Sequence, residues 1–322
     1  MLQTVNDTEV VTPDISTELV NSILDDNMKK QLEANGDIDF SFSKPGLGRF
    51  RVNVYRQRGT YSVAIRSLPF NIPSFDSLGL PQIVRSFARK TRGLILATGP
   101  TGSGKSTTLA SLLNLVNEER RAHIITIEDP IEYLHKHKNG LIDQREVGAD
   151  AKSFAAALRA TLREDPDVIL VGEMRDPETI SIALTAAETG HLVFSTLHTV
   201  GAAKTIDRII DSFAPAQQNQ VKGQLATVLE GVISQQLVPK RNGSGIVPAI
   251  EVMVVNSAIR NLIREGKPFQ INSIIQTSSN VGMQSLEANL AQLCMDGVIT
   301  QDEAAVRASD PQIFFQLLNK RW

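Results

Sequence analysis

One cysteine in 322 residues, Cys294, excludes an internal disulfide and any zinc cage built from thiolates. Leu286, Leu290 and Leu293 share its helical stripe, so a core position is the expectation for it. A surplus of either charge is missing too. With 33 Lys and Arg against 35 Asp and Glu the formal charge is only −2, without the basic excess of a dedicated nucleic-acid binder. No nucleic acid is expected as a partner. No stretch approaches the roughly 18 uninterrupted apolar residues of a membrane span, and the opening MLQTVNDTEVV has neither a basic leader nor an apolar core. A soluble, cytoplasmic protein is the expectation. Repeats and low-complexity tracts are also lacking. What remains is ordinary globular composition, 42% hydrophobic and 21% charged, over a length that suits about two domains.

Along the chain, TELVNSILDDNMKKQL reads as one helix, while IDFSFS and FRVNVYRQ alternate like strands, with a turn at GDI and a break at KPGLGR. These fall in a first unit, residues 1–67. Pro69, Pro73, Pro81 and Gly79 interrupt residues 68–81, which read as a linker. Residues 82–255 hold short apolar runs, GLILATG, HIITIED, DVILVGE and HLVFSTLH, each the length of a buried strand. Between them lie amphipathic helices, with Phe154, Ala157, Leu158, Thr161 and Leu162 on one face and Ile180, Ala183, Leu184 and Ala187 on another. The fold class is therefore α/β, with a mostly parallel sheet covered on both faces. Residues 256–322 turn helical, with Gly297 as a stop and a capping box at Thr300 and Glu303.

GPTGSGKS follows an apolar strand and opens a helix with Leu109, Leu112, Leu113 and Val116 on one face, the context a phosphate loop needs. Glycines Gly99, Gly102 and Gly104 let the backbone of Gly99, Pro100, Thr101, Gly102, Ser103 and Gly104 close on phosphate oxygens, and the helix N-terminus adds positive potential. Lys105 is placed to reach the β and γ phosphates of ATP, Ser106 to ligate magnesium, and Thr107 continues the loop. Further polar clusters sit beside the strands: Glu128, Asp129 and Glu132 in ITIEDPIEY, Glu173 in VGEMRD, and His191 and His198 around HLVFSTLH. They are expected at the C-terminal strand ends, around the same crevice as the loop. Gly172 stands where many phosphate-loop ATPases have a magnesium-holding Asp. His135 and His137, in HKHK, lack an acidic partner in sequence and read as a solvated loop.

GPTGSGKSTT, TIEDPIEY, LREDPDVILVGEMRD, TGHLVFSTLHT and AIRNLIREGK occur in the order seen in the bacterial secretion ATPases. The chain resembles most the PilT family of type IV pilus retraction ATPases, from about residue 10 to the end. The resemblance implies a RecA-like P-loop ATPase core at 82–255, a small, partial PAS-like N-terminal domain at 1–67 and a helical C-terminal subdomain at 256–322. It implies a homohexamer with ATP and Mg2+ between neighbours, working with an inner-membrane platform protein and the pilus machinery. Membrane association is then peripheral, through partners, at the cytoplasmic face of the inner membrane. Glu132 looks like the water-activating base, and Glu173 the residue that organises magnesium through water. His198 matches the sensor of the γ phosphate, and His191 opens the same histidine segment. Arg51 and Arg66 match arginines that the family brings onto the nucleotide, and Arg92 lies near the subunit boundary. Nothing before Val10 resembles the SDLHL-type segment with which the family usually starts.

Alternatives stay open at this point: a type II or type IV secretion ATPase that moves protein, a DNA-translocating ring, or a scaffold that binds nucleotide without turning it over. The four-cysteine zinc element common in assembly and type II secretion ATPases cannot be built from one cysteine, which favours retraction. Finally, Ile259, Leu262 and Ile263 form an apolar stripe in AIRNLIREGK. Arg260 and Asn261 fall off it, so replacing both is expected to leave folding and the ATPase rate within about twofold.

Overall fold

The computed structural model describes residues 3–5, 8–44, 46–69 and 71–319. The chain divides into two compact units, residues 1–70 and 71–322.

In the first unit, Thr12 caps α1 (Pro13–Ile23) and Asp25 caps α2 (Asp26–Asn35). The single helix expected over TELVNSILDDNMKKQL is thus two: Leu24 leaves helical geometry and the Asp25 side chain accepts from Met28 N–H, starting a new helix. An antiparallel sheet follows, β1 (Asp37–Lys44), β2 (Gly48–Gln57) and β3 (Thr60–Leu68), in that order. Val20, Leu24, Leu32, Ile38, Val52 and Val54 form its core, with Phe40 and Phe42 packed against them.

The second unit begins with α3 (Gln82–Arg85), and Phe75 and Leu80, inside the expected linker, are already buried in its core. β4 (Gly93–Thr98) leads through the glycine-rich loop into α4 (Lys105–Glu119). Then come β5 (His123–Glu128), β6 (Leu141–Glu146), α5 (Phe154–Thr161), β7 (Val168–Val171), α6 (Pro177–Glu188) and β8 (Leu192–Leu197). Helices α7 (Ala202–Asp211) and α8 (Pro215–Val228) precede a hairpin of β9 (Leu229–Pro239) and β10 (Ile246–Val254). The sheet order is β10-β9-β4-β8-β7-β5-β6, parallel except between β9 and β10. Both faces are buried, as expected for a parallel sheet. In β4, Leu94 and Leu96 join the α5 to α9 side, and Ile95 and Ala97 the α3 and α4 side.

Helices complete the unit: α9 (Ser257–Arg264), α10 (Ile271–Thr277), α11 (Leu286–Met295), α12 (Gln301–Arg307) and α13 (Pro311–Asn319). Leu286, Leu290, Ile299 and Phe314 close a third cluster onto Val238 and Ala249 of the hairpin. Thr300 caps α12 by accepting from Glu303 N–H at 3.3 Å. Cys294 is only partly buried, at the rim of this cluster. Among the described residues no helix is long and apolar enough to cross a membrane.

Candidate nucleotide and hydrolysis site

β4, β8, β7 and β5 are adjacent and parallel, so their C-terminal ends share one edge of the sheet. The glycine loop follows β4, His198 follows β8, Gly172 and Glu173 follow β7, and Glu128 ends β5. Gly99, Gly102 and Gly104 take φ values of 139°, 79° and 88°, a run open to glycine and strained for other residues. A Cβ at Gly99 would stand 2.1 Å from the Gln235 carbonyl, whereas at Gly102 nothing lies within 4 Å. The loop is therefore closed behind and open in front, and the Ser103 hydroxyl is buried there without a hydrogen-bond partner. This cradle fits a polyphosphate.

Lys105, 8% exposed, donates from Nζ to the Gly99 and Pro100 carbonyls at 2.9 and 3.0 Å. Burial pulls its ammonium below the ordinary lysine value, and the charges of Glu173 and Glu132 oppose that shift. Around Glu173, Arg175 pairs at 2.8 Å and His198 Nε2 at 3.1 Å. Burial alone would raise the Glu173 carboxyl, but its bonds and charge partners, Arg175 and His198, hold it below the ordinary glutamate value. The other ring nitrogen of His198 lies 3.4 Å from Thr101 Oγ1, so the imidazole spans from the glycine loop to Glu173.

Glu132 sits in an irregular stretch after β5 that other side chains pin. Tyr133, the next residue, shares a hydrogen bond of 2.9 Å with Thr107 of α4. Gln144 of β6 donates to the Tyr133 carbonyl at 2.9 Å and accepts from His135 N–H at 2.7 Å. Ile131 N–H donates to Glu146 at 3.0 Å. Glu128 accepts from Thr126 Oγ1 at 2.7 Å, and burial pushes its carboxyl up to about 7. Ser106 and Glu128 line one small cavity with Tyr133, His135 and Thr196.

The missing Asp of β7 has a steric reason. A Cβ at Gly172 would lie 3.1 Å from the Ile127 carbonyl and 3.3 Å from Glu128 Cα. Strand β5 crowds that position, so a side chain there requires its backbone to give by a few tenths of an ångström, and Glu173 is the carboxylate of this strand end.

Two sequence expectations need correction, the strand-end placement of His191 and the free surface position of Arg260. His191 and Arg92 precede β8 and β4, at the N-terminal edge, where Gly93 N–H donates to the His191 carbonyl at 3.0 Å. A six-residue strand at about 3.3 Å per residue separates them from the glycine loop by roughly 20 Å. Within one copy they do not join the site. The HKHK stretch is the expected exposed loop at Lys136, His137 and Lys138, but His135 is partly buried there, and burial drives its imidazole down to about 4, while His137 Nδ1 accepts from Ile142 N–H at 3.1 Å. Among the described residues no cluster suits a metal held by His, Cys, Asp and Glu alone. Arg260 is not a free surface residue, since it donates to the Ala226 and Thr227 carbonyls at 2.7 Å and to Glu230 at 2.5 Å.

Sequence reasoning missed Gln235 and Arg175. Gln235 accepts from Thr108 Oγ1 at 2.9 Å and donates to the Ser103 carbonyl at 2.6 Å, tying β9 to both sides of the glycine loop. Arg175, two residues after Glu173 and exposed, was visible only as proximity in sequence. Arg51 and Arg66 stand opposite one another on β2 and β3, in a shallow pocket with Asp39 and Asn53. Arg51 pairs with Asp39 at 3.1 Å.

Comparison with known proteins places the chain in a family. Residues 25–306 match the family model described as type II/IV secretion system protein. The chain is 49% identical over 304 residues to a twitching motility protein of Neisseria gonorrhoeae, covering 93% of this chain and 81% of that protein. It is also 49% identical to the type IV pilus retraction ATPase PilT of Pseudomonas aeruginosa, covering 92% and 86%. A crystal structure of the pilus retraction motor PilT with bound ADP superposes with a TM-score of 0.89 at 52% identity, over 94% of this chain and 86% of that one.

Proposed function

Because this chain belongs to the type II/IV secretion system protein family, we propose that it is an ATP-hydrolysing motor that drives retraction of a type IV pilus. The observation that carries the reading is the convergence of the glycine loop, Lys105, Glu173 and His198 on one sheet edge, in a chain similar to retraction motors over nine-tenths of its length. Phosphoryl transfer asks the protein mainly for positioning and electrostatic stabilisation. Lys105 neutralises the β and γ oxygens, and loop amides hold the rest of the polyphosphate. Ser106, and Glu173 through water, would hold Mg2+, which supplies charge neutralisation at the phosphates when bound. Glu132 takes the proton of the attacking water, and His198 reads the γ phosphate.

The working form is a homohexamer in which Arg51 and Arg66 reach the nucleotide of a neighbouring copy, with Arg92 near the subunit boundary. It acts at the cytoplasmic face of the inner membrane through a platform protein. Glu132→Gln tests the chemistry: turnover should fall at least about a hundredfold while ATP affinity stays within about threefold, since the base is lost and the cradle kept. Retained hydrolysis would overturn the assignment of Glu132. In cells, deletion of the gene should leave pili extended and abolish twitching, and loss of pili on deletion would point to an assembly motor instead.

A further inference from the structure

A buried carboxylate with no part in the chemistry above stands behind the loop that carries His198. Glu251, in the middle of β10, is 8% exposed. It accepts from Ala202 N–H at 2.7 Å. Ala202 is the first residue of α7. The first amides of a helix have no partner within it. At α7 the capping position is Gly201, at φ 91°, which has no side chain to accept them. Glu251 supplies from another strand what α7 lacks locally.

The neighbouring amide is fixed in the same way, because Gly201 N–H donates to Ser234 Oγ of β9 at 2.9 Å. Only His198, Thr199, Val200 and Gly201 lie between the end of β8 and the start of α7. The loop is therefore held at one end by the sheet ladder of β8 and at the other by β9 and β10. His198, its first residue, is the group that spans Thr101 and Glu173.

We propose that Glu251 is a positioning residue for nucleotide sensing: it anchors the His198–Gly201 loop to β10, so that His198 meets the γ phosphate. This rests on the reading of His198 as the γ-phosphate sensor. A second buried carboxylate provides the control. Glu287, 6% exposed, accepts from Ser309 and Asp310 N–H at 3.1 Å each, just before α13, and makes no bond to the His198 loop among those described. Burial, with the charge of Glu287 adding to it, pushes the Glu251 carboxyl up to about 7 against the pull of the Ala202 amide. Glutamine is accordingly a close replacement, since it keeps an acceptor oxygen at the same reach.

The experiment measures the affinities of AMP-PNP and of ADP by calorimetry, with magnesium, together with ATPase kinetics. Glu251→Ala should lower the preference for AMP-PNP over ADP at least about fivefold and kcat at least about tenfold, with ADP affinity within about twofold. Glu251→Gln should restore both to within about threefold, and Glu287→Gln should match wild type within about twofold. In the double variant with His198→Ala, Glu251→Ala should add less than about twofold to the loss of preference, because both act through one group. Should Glu251→Ala not fold, Glu251→Asp, which withdraws the carboxyl by one methylene, takes its place with the same expected losses. Full additivity with His198→Ala, unchanged preference in the alanine and aspartate variants, or an equal loss in Glu287→Gln would overturn the proposal. If His198→Ala keeps the wild-type preference, the sensor assignment falls and this proposal with it. If His198→Ala loses the preference and Glu251→Ala keeps it, only the role of Glu251 falls.

Discussion

At the C-terminal end of α8 the guanidinium of Arg260 donates to two carbonyls that the helix leaves unpaired, and its remaining contact, Glu230, also takes Lys90 Nζ at 2.6 Å. A cation there satisfies both the orphan acceptors and the negative end of the helix dipole. Asn261, one residue on, is exposed and reaches only Glu265, four residues ahead, at 2.7 Å. Arg260→Ala should therefore cost about 2–3 kcal/mol in urea unfolding, the range for losing charged hydrogen bonds at a partly buried site, and Asn261→Ala about 0.5 kcal/mol or less. Equal small effects would show that the α8 cap is not held in solution. The helical stripe correctly placed Ile259 and Ile263 in the core, but periodicity says only which residues leave the stripe. It does not say whether a long side chain then folds back onto a neighbouring helix. His191 failed for a different reason. It precedes its apolar run in sequence, so chain direction alone puts it at the N-terminal end of β8, away from the edge where ligands bind. The glycine loop was legible because its backbone demands are local and its residue types follow from them.

Strand β9 is the element that local pattern concealed. Its middle, Ser234 and Gln235, is polar yet 4% and 2% exposed, so it shows neither alternation nor an apolar run. Those side chains are buried because they serve as partners, Ser234 to the His198 loop and Gln235 to the glycine loop. A strand built as a polar backing for two loops cannot be recognised until both loops are placed beside it. The four apolar runs, by contrast, needed nothing beyond their own composition to be read as strands. Close packing sets the position of β9 at Gly231, where a Cβ would fall 2.3 Å from the ring of Phe87, itself fully buried. A rigid ring in a closed core cannot yield by that much. Gly231→Ala should thus destabilise by about 3 kcal/mol, at the upper end for overpacking, and Phe87→Leu should recover at least about 1 kcal/mol of that loss in the double variant. Additive losses in thermal or urea unfolding would mean that β9 shifts to admit the methyl group, in which case Gln235 would move away from the glycine loop and the ATPase rate would fall with it.

For the whole molecule, the open question is where the transition-state arginines come from. Arg51 and Arg66 lie side by side in the first unit, whereas the phosphate cradle belongs entirely to the second. In the hexamer proposed above, each site is shared: one copy gives Lys105 and Glu132, and its neighbour gives the arginine pair. This makes a prediction that a site within one chain cannot imitate. A Lys105→Ala variant and an Arg51→Ala, Arg66→Ala double variant should each be inactive alone, the first from loss of the lysine and the second from loss of the transition-state charge. Mixed in equal amounts and allowed to exchange subunits, they create interfaces at which the arginine-deficient copy supplies an intact cradle and the lysine-deficient copy intact arginines. Random assembly around a closed ring puts about one interface in four in that state, so activity should return to about a quarter of wild type if sites fire independently, and to less if they must fire in sequence. Recovery should also vanish on dilution, as the rings dissociate. If the mixture stays inactive under conditions where light scattering shows exchanged hexamers, or if the arginine variant alone retains full turnover, the arginines do not serve a neighbour's nucleotide, and the ring would transmit force without sharing its sites.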